Sequence, residues 1–281
     1  MKTIMNIGVV IILMCSSVMS QTEDSFSADR PGFATPPDVM TIRKFQLEDG
    51  LQYTNIFDGE VHLENYLFSS LLVRYGMLKF AELRIQTDFA YNIEKDSAGS
   101  TVVYGLNPVT IGAKIKLLSQ HKVIPNISLL FNLTLPFIGK QEFLPKTFTP
   151  SLYLLMSNDL IQNLNLCYNY GFTWFGGSEA LLHFYAVCFD VHLHPKWDIF
   201  VEGYGYAALH AYPSYNMDTG LAFLITDHLQ VDFSVSGSIP TIRDLYLLNM
   251  GIAWKIPGKN KLKKDLTFLK PNKNILQQKT H

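Results

Sequence analysis

LFSSLLVRYGMLKFAELRIQTDFAY, residues 67–91, is the stretch that decides the fold class. Alternate residues of a β-strand share a face, so folding about residues 76–80 gives a hairpin with one apolar and one polar side. The expected polar pairs are Arg74 with Glu82, Leu72 with Arg84, Ser70 with Gln86 and Phe68 with Asp88. The expected apolar pairs are Tyr75 with Ala81, Val73 with Leu83, Leu71 with Ile85 and Leu67 with Phe89.

The same alternation recurs along the chain and gives about twelve strands, each close to the nine to eleven residues that cross a bilayer at a tilt. Connections are alternately longer and shorter, with loops expected between residues 53 and 67, at 92–107 and at 136–150. This pattern predicts an all-β, antiparallel up-and-down transmembrane β-barrel with periplasmic termini. A lipocalin-like barrel or a sandwich is the soluble alternative, because it shows the same alternation.

The ends of the chain differ in composition from the predicted barrel. One lysine, an apolar run and small residues predict a signal peptide at 1–20, cut after Ser20; Cys15 as a lipid attachment site is the alternative. No later apolar run approaches the roughly 18 residues of a spanning helix, although 48% of the 281 residues are hydrophobic. The formal net charge of −1 offers nucleic acid no attractive field.

The predicted domains are a leader at 21–40, the barrel at 41–257 and a basic tail at 258–281. The leader either tucks Asp29 and Arg30 into the barrel as a partial plug or forms a periplasmic arm. The lysine-rich tail is either only solvated or contacts anionic lipid or cell-wall polymer.

A hairpin between the strands at 164–174 and 181–191, turning at Gly177-Ser178, sets Cys167 opposite Cys188 on the inner face. In an oxidising compartment the two thiols could form a cross-strand disulfide. The alternative is a pair of buried free thiols, because cross-strand geometry strains a disulfide.

The polar face of the predicted strands supplies the functional candidates. Their ordinary role is an ion-pair network that fills the lumen, and their functional role is selective conduction. The lumen candidates are Glu48, Arg74, Glu82, Arg84, Asp88, Lys114, Lys116, Glu202, Asp218 and Asp232.

Neither a catalytic site nor a metal or cofactor site is predicted. A barrel phospholipase would carry His-x-Ser, and no histidine here has serine two positions later. His183 is expected near the rim of the outer face. His192 and His194 share a strand face but lack a third metal ligand, so a pair near a turn is expected.

Several motifs together resemble a known family. They are Asp29-Arg30-Pro31-Gly32, Phe45-Gln46-Leu47-Glu48-Asp49-Gly50, Arg74-Tyr75-Gly76, Glu82-Leu83-Arg84, Phe200-Val201-Glu202 and Asp218-Thr219-Gly220. This set resembles the outer-membrane transporters named for the meta pathway of phenol degradation, over most of the mature chain. The tail after Pro257 departs from the family pattern.

The resemblance implies a barrel in the outer membrane of a Gram-negative cell that passes small, often aromatic or hydrophobic, compounds. The final strand, with its outward row ending at Trp254 and Ile256, resembles the signal read by the barrel assembly machinery. Outer-membrane lipid, that machinery and a small-molecule solute are therefore the expected partners. The competing hypothesis is a closed barrel that has a structural or anchoring role.

Overall fold

Twelve antiparallel strands close into a β-barrel in a computed structural model of the chain, which describes residues 26–59, 61–176, 181–208, 212–239 and 245–256. The predicted signal peptide, the tail and the Gly177-Ser178 turn lie outside these residues. The strands are β1 (Phe45–Asp58), β2 (Val61–Leu78), β3 (Ala81–Asp96), β4 (Gly99–Leu106), β5 (Thr110–Leu118), β6 (Asn126–Thr134), β7 (Thr149–Ile161), β8 (Leu164–Trp174), β9 (Leu181–His194), β10 (Trp197–Ala208), β11 (Asn216–Thr226), β12 (Leu229–Ser238) and β13 (Leu245–Lys255).

The barrel closes where β1 pairs with β13, from Gln46 opposite Lys255 to Ile56 opposite Leu245. Thirteen strands make twelve positions because β3 pairs with β4 along its second half and with β5 along its first. Strands β4 and β5 therefore share one position, one above the other. The predicted antiparallel barrel is confirmed, and β1 begins and β13 ends at the rim that carries the short turns.

The outer surface is apolar across the barrel. Large hydrophobic side chains are exposed on strand after strand, among them Leu83, Ile85, Phe131, Val187, Phe189 and Ile252. Exposure on this scale is unfavourable in water and favourable against lipid, which is the pattern of a transmembrane barrel. No helix in the described parts of the chain is long and apolar enough to cross a membrane.

Two predicted loops are tall hairpins instead. β1 and β2 continue to the turn at Gly59, and the 92–107 segment belongs to the β3–β4 hairpin, whose turn is capped by hydrogen bonds from the Ala98 and Gly99 N–H groups to Asp96. An aromatic ladder on this extension pairs Tyr53 with Tyr66 and Tyr91 with Tyr104. The loop at 136–150 does connect β6 to β7 and contains a single 3-10 turn, Gln141–Phe143.

The register of the opening hairpin differs from the prediction by two residues. Arg74 lies opposite Arg84 rather than Glu82, and the same shift sets Leu72 opposite Gln86 and Ser70 opposite Asp88. The turn is tighter than expected, at residues 79–80, with a bulge between Gly76 and Leu78. A second bulge at Leu67/Ser69 also turns Phe68 outward, where it is exposed, so it does not pair with Asp88.

Candidate functional site

The leader runs through the lumen in its described part. Its backbone bonds to side chains of several strands: the Thr35 N–H donates to Asn169 on β8, and Ser128 Oγ on β6 donates to Pro37 O. Just after the leader, the Arg43 N–H donates to Gly76 O on β2. The described part of the leader is thus held by hydrogen bonds to the wall at several points.

Asp29 binds a cluster of three cations on the inner faces of β2, β3 and β5. Its carboxylate lies 3.2 Å from Arg74 Nη1, 2.5 Å from Arg84 Nη2 and 3.2 Å from Lys114 Nζ. Burial of the Asp29 carboxyl opposes ionisation, but Arg74, Arg84 and Lys114 hold its pKa well below the usual range. Asp29 is therefore anionic at every physiological pH.

Two wall carboxylates complete this cluster. Glu48 accepts hydrogen bonds from Arg74 and from the Asp29 backbone N–H, each at 2.9 Å. Glu82 accepts from Arg74 at 3.0 and 3.1 Å and from the Met40 N–H at 2.7 Å. The Arg74 to Glu82 contact is made although the two residues are not direct partners in the sheet. With Asp29 in place, three cations face three carboxylates.

Lys116 and Asp88 differ from this buried cluster. Lys116 binds Asp38 of the leader at 3.2 Å, but the Asp38 side chain is 51% exposed. Asp88 accepts from Ser70 Oγ at 2.8 Å and from Asn107 Nδ2 at 3.4 Å, so its partners belong to the wall and to the β4–β5 connection.

Arg30, the next leader residue, binds a different part of the wall, on β12 and β13. Its Nη2 lies 3.3 Å from Asp232 Oδ1 and 2.8 Å from Asn249 Oδ1. The guanidinium rests against Gly50 and Gly251, which are direct partners across β1 and β13. A Cβ at either glycine would overlap guanidinium atoms, so only glycine leaves room for Arg30 here.

An aromatic pocket on β10 holds the leader's Phe33. The Phe33 ring stacks on Tyr204 with centroids 3.9 Å apart. The Phe33 and Ala34 N–H groups donate to Glu202 at 2.9 and 2.8 Å. Asp218, the direct sheet partner of Glu202, is 1% exposed, and neither of its carboxylate oxygens has a hydrogen-bond partner among the described residues.

Cys167 and Cys188 are direct partners across β8 and β9, beside Ala34 of the leader. Both are free in this structure: Cys167 Sγ lies 3.6 Å from Thr35 O, and Cys188 Sγ lies 3.6 Å from Asp190 Oδ1. The predicted pairing in the sheet is therefore observed, and the thiols are not bonded to each other.

His183 and His192 lie outside the lumen cluster. His183 bonds Tyr170 at 2.8 Å on the outer face, and His192 bonds Asp198 at the rim. Within the described ranges no three His, Cys, Asp or Glu side chains form a group that could hold a metal.

Sequence reasoning missed Phe33, Tyr204 and Asn169 as contacts between leader and wall. An inward Tyr204 among apolar residues gives no signal by itself, because its partner lies 171 positions earlier in the chain. Gly50 and Gly251 did carry a usable signal, since glycine in the middle of a strand marks a close approach.

A closed barrel with an apolar outer surface and a charged interior defines the class of outer-membrane β-barrels. An outer membrane channel from Pseudomonas putida F1 is similar over 81% of this chain and 99% of its own, with a TM-score of 0.60 and 12% identity. The transport unit of the autotransporter AIDA-I from Escherichia coli matches over 89% and 98%, with a TM-score of 0.53 and 9% identity. The NanC porin matches over 75% and 100%, with a TM-score of 0.51 and 11% identity.

Sequence comparison then gives the family. The family described as "Putative MetA-pathway of phenol degradation" matches residues 28–256, and the chain belongs to it. No curated protein sequence matches the chain significantly. The matched range begins inside the leader, just before Asp29 and Arg30, and ends at the last strand of the barrel.

Proposed function

We propose that the barrel is a passive channel for small solutes, including aromatic or hydrophobic ones, and that the leader is a removable plug. The observation that carries the proposal is that the described part of the leader lies in the lumen and is held by noncovalent contacts only, on charged and polar walls. If the lumen wall served only to pack against the leader, apolar side chains would stabilise it equally well, because buried ion pairs add little stability over well-packed apolar side chains.

The pocket that holds Phe33 supports the proposal that aromatic solutes pass through the barrel. The wall already binds one benzene ring face to face on Tyr204, with Phe200 and Phe184 close by. A solute that enters when the leader withdraws would meet the same surface. The similar Pseudomonas protein is an outer membrane channel, and the family's description concerns phenol degradation; both agree with this function.

The second candidate is a closed structural or anchoring barrel. The number of buried contacts between leader and wall favours it, because Asp29, Arg30 and Phe33 are each bound on a different part of the lumen. In that case the lumen charges act only as packing, and the loops or the basic tail carry the function. Contact of the tail with anionic lipid or cell wall stays a prediction.

Permeation through refolded protein in liposomes tests the two candidates. The mature wild-type chain and the variant Asp29→Asn are compared for ions and small aromatic solutes, and folding is checked by mobility before and after boiling. Permeation above empty liposomes supports the channel, and faster permeation through the variant supports a plug. Folded protein that is sealed in both forms supports the structural barrel.

A further inference from the structure

The inner wall at β10 and β11 carries two buried carboxylates that lack a cation. Glu202 and Asp218 are direct sheet partners and are 0% and 1% exposed. Among the described residues, none of the ion pairs includes either of them. Both Asp218 oxygens and the buried Ser234 Oγ on β12 also lack hydrogen-bond partners there. Two uncompensated buried carboxylates are unfavourable, so this wall is short of positive charge.

Phe33 occupies this wall in the way a ligand would. Its ring stacks on Tyr204 at an interplanar angle of 17°, and its backbone N–H donates to Glu202 Oε1 at 2.9 Å. In phenylalanine two carbons separate the ring from the nitrogen. The preceding Gly32 allows this approach, because a Cβ there would lie 2.9 Å from Glu202 Oε2.

The Phe33 ring of the leader fits the pocket, but the leader places no positive charge beside the two carboxylates. An amide N–H is neutral, so Phe33 supplies no positive charge to Glu202 or Asp218. The leader's cation, Arg30, is bound to Asp232 and Asn249 instead. A ligand with the same ring and a protonated nitrogen would satisfy both.

From these contacts we infer that the Phe33 pocket binds protonated aromatic amines in which two carbons separate the ring from the ammonium group. This inference rests on the proposed function, since such a solute reaches the pocket when the leader withdraws. The ring takes the place of the Phe33 ring, and the ammonium group takes the place of its N–H between Glu202 and Asp218.

Three probes of matched size test the inference: phenethylammonium, the neutral 2-phenylethanol and the anionic phenylacetate. Each is titrated into the refolded mature chain at pH 7, and binding is measured from the rise in melting temperature. We expect the amine to bind at least about tenfold more tightly than the alcohol, as one charge-assisted hydrogen bond provides, with phenylacetate weakest. Equal binding of amine and alcohol would overturn the inference.

Two lumen variants and one control variant test whether Glu202 and Asp218 cause the preference for the amine. Glu202→Gln and Asp218→Asn should each remove about tenfold of the amine's preference while alcohol binding stays. Glu142→Gln, in the exposed loop where Glu142 pairs with Lys140 at 3.2 Å, should keep the preference. If both lumen variants still prefer the amine to the alcohol, the pocket is not the source of the preference. Two variants are used so that the test still works if one of them fails to fold.

The same probes, added as blockers of ionic current in planar bilayers, separate this inference from the proposed function. A folded barrel without current refutes the channel, and amine-selective stabilisation would still support the pocket. A conducting barrel blocked equally by amine and alcohol keeps the channel and refutes the pocket.

Discussion

Replacing Asp29 by asparagine is expected to release the leader from the lumen while the barrel stays folded. The carboxylate binds Arg74, Arg84 and Lys114 in a setting where all four side chains are at most 8% exposed. Removing one member of a buried ionic cluster costs about 3–5 kcal/mol, because the remaining charges stay buried without compensation. The ratio of docked to undocked leader should therefore fall more than about a hundredfold.

Asp38→Asn is the matched control within the same leader. Asp38 also binds a lumen lysine at 3.2 Å, but its side chain is 51% exposed. An exposed ion pair contributes about 0–1 kcal/mol, so this variant should change docking by less than about fivefold. The two substitutions are chemically identical and differ in the burial of the carboxylate and in the number of cations that it binds.

The natural thiols provide the assay. Cys167 and Cys188 are each 4% exposed and lie beneath leader residues 34 and 35. The rate at which a water-soluble maleimide labels the reduced, folded protein therefore reports undocking. We expect much faster labelling in Asp29→Asn and nearly wild-type labelling in Asp38→Asn. Equal rates in the two variants, with both barrels still shifting on boiling, would refute the reasoning.

The same labelling assay checks three further predictions. Gly251→Ala should accelerate labelling because its Cβ would overlap the Arg30 guanidinium, whereas Gly203→Ala, with nothing within 4 Å, should not; similar rates would contradict the proposed fit. Because the pKa of Asp29 is lowered, its contribution to docking is complete above the ordinary aspartate pKa and is lost only as the pH falls below it. The factor by which Asp29→Asn accelerates labelling over wild type should therefore be the same at pH 5 and at pH 7, and a much smaller factor at pH 5 would count against an ionised Asp29. Phe33→Ala should weaken docking by up to about 3 kcal/mol through loss of the partly buried ring, and a rate equal to wild type would show that the stacking adds nothing.

Strand number and inward faces could be predicted from the sequence because side-chain alternation has a period of two. The pairing of Cys167 with Cys188 was also predictable, since β8 and β9 alternate without a bulge between them. The register of the β2–β3 hairpin was not, because bulges at Leu67/Ser69 and Gly76/Leu78 each add a residue that leaves no mark on hydrophobicity.

The contacts of the leader could be predicted only in part. Asp29 and Arg30 stand out as charges in an irregular segment, so a plug was one of two predictions. Asp29 and Arg30 bind where the barrel wall has charges without a partner. The positions of those charges depend on the exact register of the strands, which the sequence pattern does not give. Arg74 shows the difficulty: it bonds Glu82 from a position diagonal to it, while its direct partner is another cation, Arg84.

Gly50 and Gly251, which together form a cradle for the Arg30 guanidinium, have a consequence for barrel assembly. Half of the cradle, Gly50, comes from the first strand and half, Gly251, from the last. The cradle therefore does not exist until the two ends of the sheet have met and the cylinder has sealed. Arg30 can occupy this place only after β1 and β13 have paired, so a barrel that is still open holds Arg30 outside that seam.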